Sequence, residues 1–235
     1  MATVLITGAN KGIGYETAKQ LVGAGHTVYA GARDASRGRT AAEELGARFV
    51  QLDVTDDASV AAAAKTIEAE GGLDVLVNNA GIEPRQADGS FVPVAETTAD
   101  SMREVFETNV FGPVRMLHEF LPLLAQSPAP VVVNVSSGLA LTRELVDPAN
   151  PTHFYPDVAY PSSKAAVNML TVQYAKAYPG VRINAVDPGF TSTDLNHHAG
   201  TQTVAEGAEV LVRMAQIGAD GPTGGFFDAR GSVAW

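Results

Sequence analysis

The chain has 235 residues, of which 46% are hydrophobic and 18% charged, with 16 Lys+Arg against 26 Asp+Glu and a formal net charge of −10. That balance fits a folded soluble chain and opposes a nucleic-acid footprint or an anionic membrane surface, both of which need clustered cations. Zero cysteines exclude disulfides, thiol nucleophiles and thiolate metal sites, and with no leader pattern at the N-terminus the expected compartment is the cytoplasm.

In chain order, short β-branched runs alternate with longer amphipathic stretches, the pattern of a parallel sheet covered by helices on both faces. Strands are predicted at Thr3–Thr7, Thr27–Ala30, Arg48–Leu52, Asp74–Asn78, Pro130–Ser136, Val181–Val186 and Gly224–Phe227. Helices are expected over 13–24, 35–46, 56–70, 99–126, 158–178 and 203–217. The expected fold class is therefore α/β, a Rossmann-type doubly wound sheet of about seven strands. No linker or repeat divides the chain, so one domain over 1–235 is expected, carrying its own substrate loops. In such sheets ligands bind beyond the carboxyl ends of the strands. Three long loops, Ile82–Thr98, Gly138–Pro156 and Phe190–Gln202, follow strands and are candidate pocket walls. Asn134-Val135-Ser136 matches a glycosylation sequon but lies in an apolar run and is read as accidental.

Thr7-Gly8-Ala9-Asn10-Lys11-Gly12-Ile13-Gly14 joins the first strand to the first helix. Its backbone N–H groups and the helix N-terminus can face a pyrophosphate, with Gly8 permitting the turn, Gly12 the close approach and Gly14 the packing of helix on sheet. At the end of the second strand an acid would accept from an NAD ribose, whereas arginine would meet the extra phosphate of NADP. The segment Ala30-Gly31-Ala32-Arg33-Asp34 offers Arg33, and Lys11 adds a second cation, so NADP(H) is favoured over NAD(H). Asp34 is the competing residue, becoming the ribose acceptor if the strand runs further. Asp53 in Leu52-Asp53-Val54 is a candidate acceptor for the adenine amino group, or else a helix cap. Asn78-Asn79-Ala80-Gly81 suits either close passage of a cofactor or turn-fixing hydrogen bonds.

Taken together, these pieces resemble the short-chain dehydrogenase/reductase family over essentially the whole chain. Thr7–Gly14 matches TGxxxGxG, Asn78–Gly81 matches NNAG, Tyr160-Pro161-Ser162-Ser163-Lys164 matches YxxSK, and Asn109, Ser137 and Pro188-Gly189 follow the family order. Thr108–Gly112, Ala30–Asp34 and the Gly221–Phe227 tail look most like the carbonyl-reductase branch, which uses NADPH. The resemblance implies an NADPH-dependent reduction of a ketone or aldehyde by hydride transfer. Its alternatives are an NAD-dependent alcohol dehydrogenase working oxidatively, a nonenzymatic NADP(H) sensor and a scaffold in a biosynthetic assembly.

Hydride delivery builds charge on the carbonyl oxygen, so the chemistry needs a proton donor and a hydrogen-bond donor placed there. On the family pattern Tyr160 is the acid. Lys164, four residues on, is expected to lower the phenol pKa and hold the nicotinamide ribose. The resemblance likewise implies that Ser137, rather than its neighbour Ser136, would donate to the substrate oxygen and that Asn109 would hold a water path. A second YxxxK match, Tyr15–Lys19, lies in the first helix and reads as a surface feature. Pro188, Gly189, Thr191 and Thr193 are expected to meet the cofactor, Thr193 alternatively capping a lid helix. His197-His198 is read as exposed and no metal is expected. Ser137 and Tyr160 are 23 positions apart, about ten more than in the plainest members. The insert, Leu139–Val158, is expected beside the substrate opening or over the helix that relatives use to dimerise, favouring a monomer over a tetramer. Leu139, Phe154, Phe190, Ile82 and Trp235 are candidate apolar pocket residues.

Overall fold

The computed structural model describes residues 1–86 and 88–235. Among them, eight strands form one sheet in the order β3-β2-β1-β4-β5-β6-β7-β8. The strands are β1 (Thr3–Thr7), β2 (Thr27–Ala32), β3 (Arg48–Gln51), β4 (Val75–Asn78), β5 (Val131–Val135), β6 (Arg182–Val186), β7 (Phe226–Asp228) and β8 (Gly231–Val233). All neighbouring pairs are parallel except β7 and β8. This is the expected Rossmann-like α/β fold with one strand more. The added β8 is three residues long and returns through Ala229-Arg230, a turn whose amides at Arg230 and Gly231 donate to the Asp228 carboxylate.

Alternation along the strands sorts side chains onto two core layers. Leu5, Leu76 and Val132 pack on one face with Ile67 of α3 (Asp57–Ala69) and Met116, Leu117 and Phe120 of α5 (Gly112–Leu124). Val4, Ile6, Val77 and Val133 pack on the other with Leu21 of α1 (Gly12–Gly23), Leu45 of α2 (Ala35–Leu45) and Leu211 of α8 (Val204–Ala215). Phe120 is fully buried, an arrangement worth roughly 2 to 3 kcal/mol by transfer of its apolar surface. Asn134 of the apparent sequon is 1% exposed in β5, out of reach of a glycan in the folded chain.

The helix expected over 99–126 is interrupted. It comprises α4 (Ala99–Phe106), a π turn at Glu107–Phe111 and α5. Within that turn the Gly112 N–H donates to the Glu107 carbonyl five residues back. Pro113 contributes to the break because it has no N–H for the Asn109 carbonyl four residues earlier. The insert after β5 folds as a short turn at Gly138–Ala140, α6 (Thr142–Leu145) and a turn at Pro151–Phe154, followed by α7 (Ala159–Ala177). No helix among the described residues is long and apolar enough to cross a membrane.

Candidate active site

The strand order reverses between β1 and β4, where a cavity of about 540 Å³ opens at the carboxyl ends. Gly8, Asn10, Lys11, Gly12, Ile13 and Gly14 form one wall. Gly8 and Gly12 have φ of 67° and 59°, the left-handed region that glycine enters without strain. At Gly14 a Cβ would stand 2.7 Å from the Gly8 carbonyl and against the Asn79 amide, so the close approach of helix and loop requires its absence. The N-termini of α2, α3, α4 and α8 each receive a side-chain cap, from Asp34, Asp56, Thr98 and Thr203. Lys11 opens α1 without a side-chain cap, leaving the first-turn N–H groups facing the cavity. Its ammonium pairs with Asp194 at 2.8 Å, linking the glycine loop to the segment after β6.

Arg33 and Asp53 line the cavity, with Val54 between Asp53 and Thr55. β2 runs to Ala32, two residues beyond the predicted end, yet Asp34 does not enter the cavity. Its carboxylate accepts from the Arg37 amide at 2.9 Å as the cap of α2, and that bond holds its pKa down. Burial works against the Asp53 carboxylate, but hydrogen bonds from the Thr55 amide and hydroxyl and the nearby Arg33 and Arg115 charges hold its pKa below the ordinary range. The cap of α3 is Asp56 instead. Asn79 Nδ2 donates to the Thr7 and Gly8 carbonyls at 2.8 and 3.2 Å, and the Thr7 hydroxyl accepts from the amides of Asn79 and Ala80. The NNAG turn is therefore braced to the glycine loop while Asn79, Ala80 and Gly81 also line the cavity.

The catalytic candidates Asn109, Ser137, Tyr160 and Lys164 do not themselves line this cavity; Asn109 and Lys164 stand behind Gly81, which does. A Cβ on Gly81 would lie 3.4 Å from Asn109 Oδ1 and 3.6 Å from Lys164 Nζ. The Asp157 carboxylate accepts from the amides of Ala159 and Tyr160, fixing the start of α7 and hence Tyr160 in its first turn. Period-two alternation separates the two serines: Ser136 is buried and donates to Asn168 at 2.6 Å, tethering α7 to β5, while the Ser137 hydroxyl lies beside the Tyr160 phenol. Asn109, in the π turn, donates through Nδ2 to the Ile82 carbonyl and Ser163 Oγ and accepts the Ile82 amide at 2.8 Å. Ser163 Oγ in turn donates to the Tyr160 carbonyl at 2.7 Å. Asn109 thus holds the NNAG loop and α7 in register.

The family model for short chain dehydrogenase matches residues 2–204. The chain belongs to the short-chain dehydrogenase family. It is 36% identical over 307 aligned positions to (-)-isopiperitenone reductase of Mentha piperita, covering 98% of this chain and 97% of that relative. Among solved structures, salutaridine reductase of Papaver somniferum superimposes with TM-score 0.84 at 30% identity, over 96% of this chain and 99% of that one. NADPH-bound carbonyl reductase from chicken fatty liver gives 0.85 at 29% identity, over 100% and 99%.

In this short-chain dehydrogenase the expected effect of Lys164 on the Tyr160 phenol needs correction. Lys164 is 5% exposed and donates to the Val135 carbonyl at 2.8 Å, its nitrogen 5.4 Å from the Tyr160 ring centre. Burial brings its own pKa down to about 8. The phenol is raised by burial and then by the Glu83 and Asp187 charges, against a smaller lowering by Ser137. The segment after β6 is also divided. Thr193 lines the main cavity, whereas Pro188, Gly189 and Thr191 do not. Thr191 is buried, its hydroxyl donating to the Pro188 and Gly189 carbonyls. Thr193 starts a single turn at Asp194–Asn196 and no longer lid helix.

Of the candidate apolar residues, Ile82 lines the main cavity. Phe154 and Phe190 are 74% and 53% exposed, and Trp235 faces a separate groove beside α7; Leu139 is partly buried and lines neither cavity. His198 lies 3.1 Å from Asp194. Tyr15 donates to Glu44, and Lys19 pairs with Glu16, both on the surface of α1. Sequence reasoning missed Glu83, Arg85 and Tyr155. Glu83 and Arg85 line the cavity and form a largely buried ion pair at 2.7 Å, and the Tyr155 hydroxyl donates to Glu83. Opposite charges two apart directly after NNAG were the available signal.

Proposed function

We propose that this oxidoreductase reduces a ketone or aldehyde to an alcohol with NADPH, Tyr160 giving the proton. The observation that carries the reading is a protonated, buried phenol beside Ser137 and Lys164, the lysine adjoining Gly81 in the wall of a cavity that also presents an uncapped glycine-loop helix and Arg33. Gly8, Asn10, Lys11, Gly12, Ile13 and Gly14 would cradle the pyrophosphate, Arg33 the ribose phosphate, and Asp53 and Val54 the adenine. Asn79, Ala80 and Gly81 would line its path, with Lys164 on the nicotinamide ribose, while Pro188, Gly189 and Thr191 would shape the segment that presents Thr193. When bound, the nicotinamide supplies the hydride.

The chain's own groups complete the reaction. Ser137 donates a hydrogen bond to the carbonyl oxygen and Tyr160 transfers its proton there as charge develops. Lys164 and Asn109 flank Gly81, where they would guide the proton that restores the phenol. Reductase and carbonyl-reductase names among the relatives support the direction. The test is NADPH consumption over a panel of ketones, aldehydes, diketones and quinones. No turnover on any of them, despite tight nucleotide binding, would sink the proposal.

Cofactor choice has its own test. Removing the cation by Arg33→Ala is expected to raise KM for NADPH about ten- to a hundredfold, the worth of one or two charge-assisted hydrogen bonds, and to leave KM for NADH nearly unchanged. Equal losses with both cofactors would reassign Arg33. The NAD reading rested on Asp34, which is engaged as a cap.

We also propose a monomer. Leu141 and Arg143 of the insert share a groove with Ala165 and Met169 of α7, so the insert covers part of the helix on which the family resemblance would place a dimer contact. Light scattering at micromolar concentration is expected to give the 24.5 kDa of one chain; a tetramer would refute it.

A further inference from the structure

Two side-chain ties hold the segment after Gly81 against α7 and the residues that lead into it. Asn109 makes the first, joining the amide and carbonyl of Ile82 to Ser163 Oγ. The second joins the next residue, Glu83, to Tyr155 of the insert, whose hydroxyl donates to Glu83 Oε1. Neither Glu83 nor Tyr155 is needed to move a hydride or a proton.

The second tie is firmly built. Arg85 donates to Glu83 Oε2 through Nε at 3.1 Å and Nη2 at 2.7 Å, so the carboxylate is paired within its own loop and its other oxygen is left for Tyr155. Arg85 and Phe91 form an antiparallel bridge, with the Arg85 guanidinium 3.6 Å over the Phe91 ring. The Tyr155 ring meets Phe91 edge-on at 4.9 Å. The Arg85 and Glu83 side chains are only 14% and 6% exposed, so water competes little for the oxygen that Tyr155 holds.

Tyr155 precedes Tyr160 by five positions, and little between them is free to turn. Pro156 has its φ fixed, and the Asp157 carboxylate accepts from the amides of Ala159 and Tyr160 at 3.0 and 2.9 Å. Pro84 follows Glu83 in the same way. A shift of Tyr155 is therefore passed on to the phenol. With the Asn109 tie alone, the start of α7 could pivot about Ser163. Ties at Tyr155 and Ser163, on either side of Tyr160 in the chain, fix its inclination as well.

We propose that Tyr155 and Glu83 are positioning residues for the reduction, their contact setting the distance and angle between the Tyr160 phenol and the Gly81 wall along which the nicotinamide would lie. This rests on the carbonyl-reductase reading above, in which proton and hydride reach one carbonyl from these two sides. Misplacement of reacting groups by about 1 Å can cost a hundredfold in rate.

Tyr155→Phe removes the donor hydroxyl and keeps the ring against Phe91. It is expected to lower kcat for carbonyl reduction about tenfold, as for one lost hydrogen bond to a charged acceptor, with KM for NADPH within about twofold of wild type. The primary isotope effect with NADPH deuterated at the transferred position should be at least that of wild type. In the cofactor-free protein, amide hydrogen exchange over 157–163 should quicken about fivefold or more, and that over 167–177 should stay as it was. Phe91→Leu, which unseats the Tyr155 ring and leaves every hydrogen-bonding group in place, should act in the same direction. Tyr29→Phe is the matched control. Its hydroxyl also donates to a glutamate paired with an arginine, Glu70 with Arg48, but beside the end of α3, at the edge of the sheet opposite the cavity. That variant should keep kcat within about twofold. Rates are taken per NADPH-binding site, counted by fluorescence titration, which discounts any unfolded fraction. An active wild type with kcat within twofold of it in both Tyr155→Phe and Phe91→Leu overturns this proposal alone. So does a loss in Tyr155→Phe with a smaller isotope effect, or an equal loss in Tyr29→Phe. Unchanged exchange over 157–163 overturns it whatever the turnover. No turnover of any ketone or aldehyde by wild type overturns the carbonyl-reductase reading and this one with it.

Discussion

Tyr160→Phe is expected to lower kcat for carbonyl reduction by about a thousandfold, within the range of a hundred- to ten-thousandfold typical of a positioned proton donor. The substitution removes one oxygen from a ring that is 9% exposed, so the packing of α7 and its cap at Asp157 should remain. Loss of NADPH absorbance would report the rate, and nucleotide fluorescence would report binding, which should persist. A variant retaining more than a tenth of wild-type kcat would remove Tyr160 from the acid role. The same phenol gives a directional expectation. Burial, Glu83 and Asp187 keep it protonated above the ordinary tyrosine range, which suits reduction. The reverse oxidation needs the phenolate and should therefore rise steadily between about pH 7 and 10.

The parts of the molecule legible in the sequence are those whose signal is local. The glycine loop is read from a strand, three glycines and a helix in succession, and the cavity wall at Gly8–Gly14 follows from backbone sterics alone. The placement of Asn109, Ser137, Tyr160 and Lys164 around one point follows once the parallel order of β4, β5 and α7 is assumed. β8 was not legible, since three residues are too few to show alternation. The π turn was hidden because nothing in Glu107–Phe111 itself breaks a helical reading; Gly112-Pro113 inside the expected helix was its trace. Least legible was the Glu83–Tyr155 contact, which joins loops 72 residues apart and depends on how the insert folds back. The electrostatics of the Tyr160–Lys164 pair failed for a similar reason. Spacing places an ammonium near a phenol, but only the packed structure shows that the ammonium is desolvated and turned toward Val135.

That desolvation leads to an effect opposite in sign for stability and activity. Lys164 titrates near 8 in the folded chain against about 10.4 for an unperturbed lysine, because burial penalises its charge. Below pH 8 both states are protonated, and the folded state bears the full penalty, about 3 kcal/mol at 1.36 kcal/mol per pH unit. Between pH 8 and 10.4 the unfolded chain binds the extra proton, so this group's contribution to stability rises with pH; above that the penalty is gone. Lys164→Met keeps the volume of the stem and removes the charge, at the cost of leaving the Val135 carbonyl without its donor, about 1 to 2 kcal/mol. The variant is therefore expected to be more stable than wild type at pH 7 by about 1 to 2 kcal/mol, seen as a Tm higher by roughly 2 to 8 °C for a chain of this size. The advantage should shrink as pH rises through 8 and reverse near pH 10, while kcat falls a hundredfold or more at every pH. Thermal melts of both proteins at pH 7 and pH 10 decide it. A Tm for Lys164→Met below wild type at pH 7 would mean that the ammonium is net stabilising where it lies, and that its hydrogen bond to Val135 outweighs the burial of its charge.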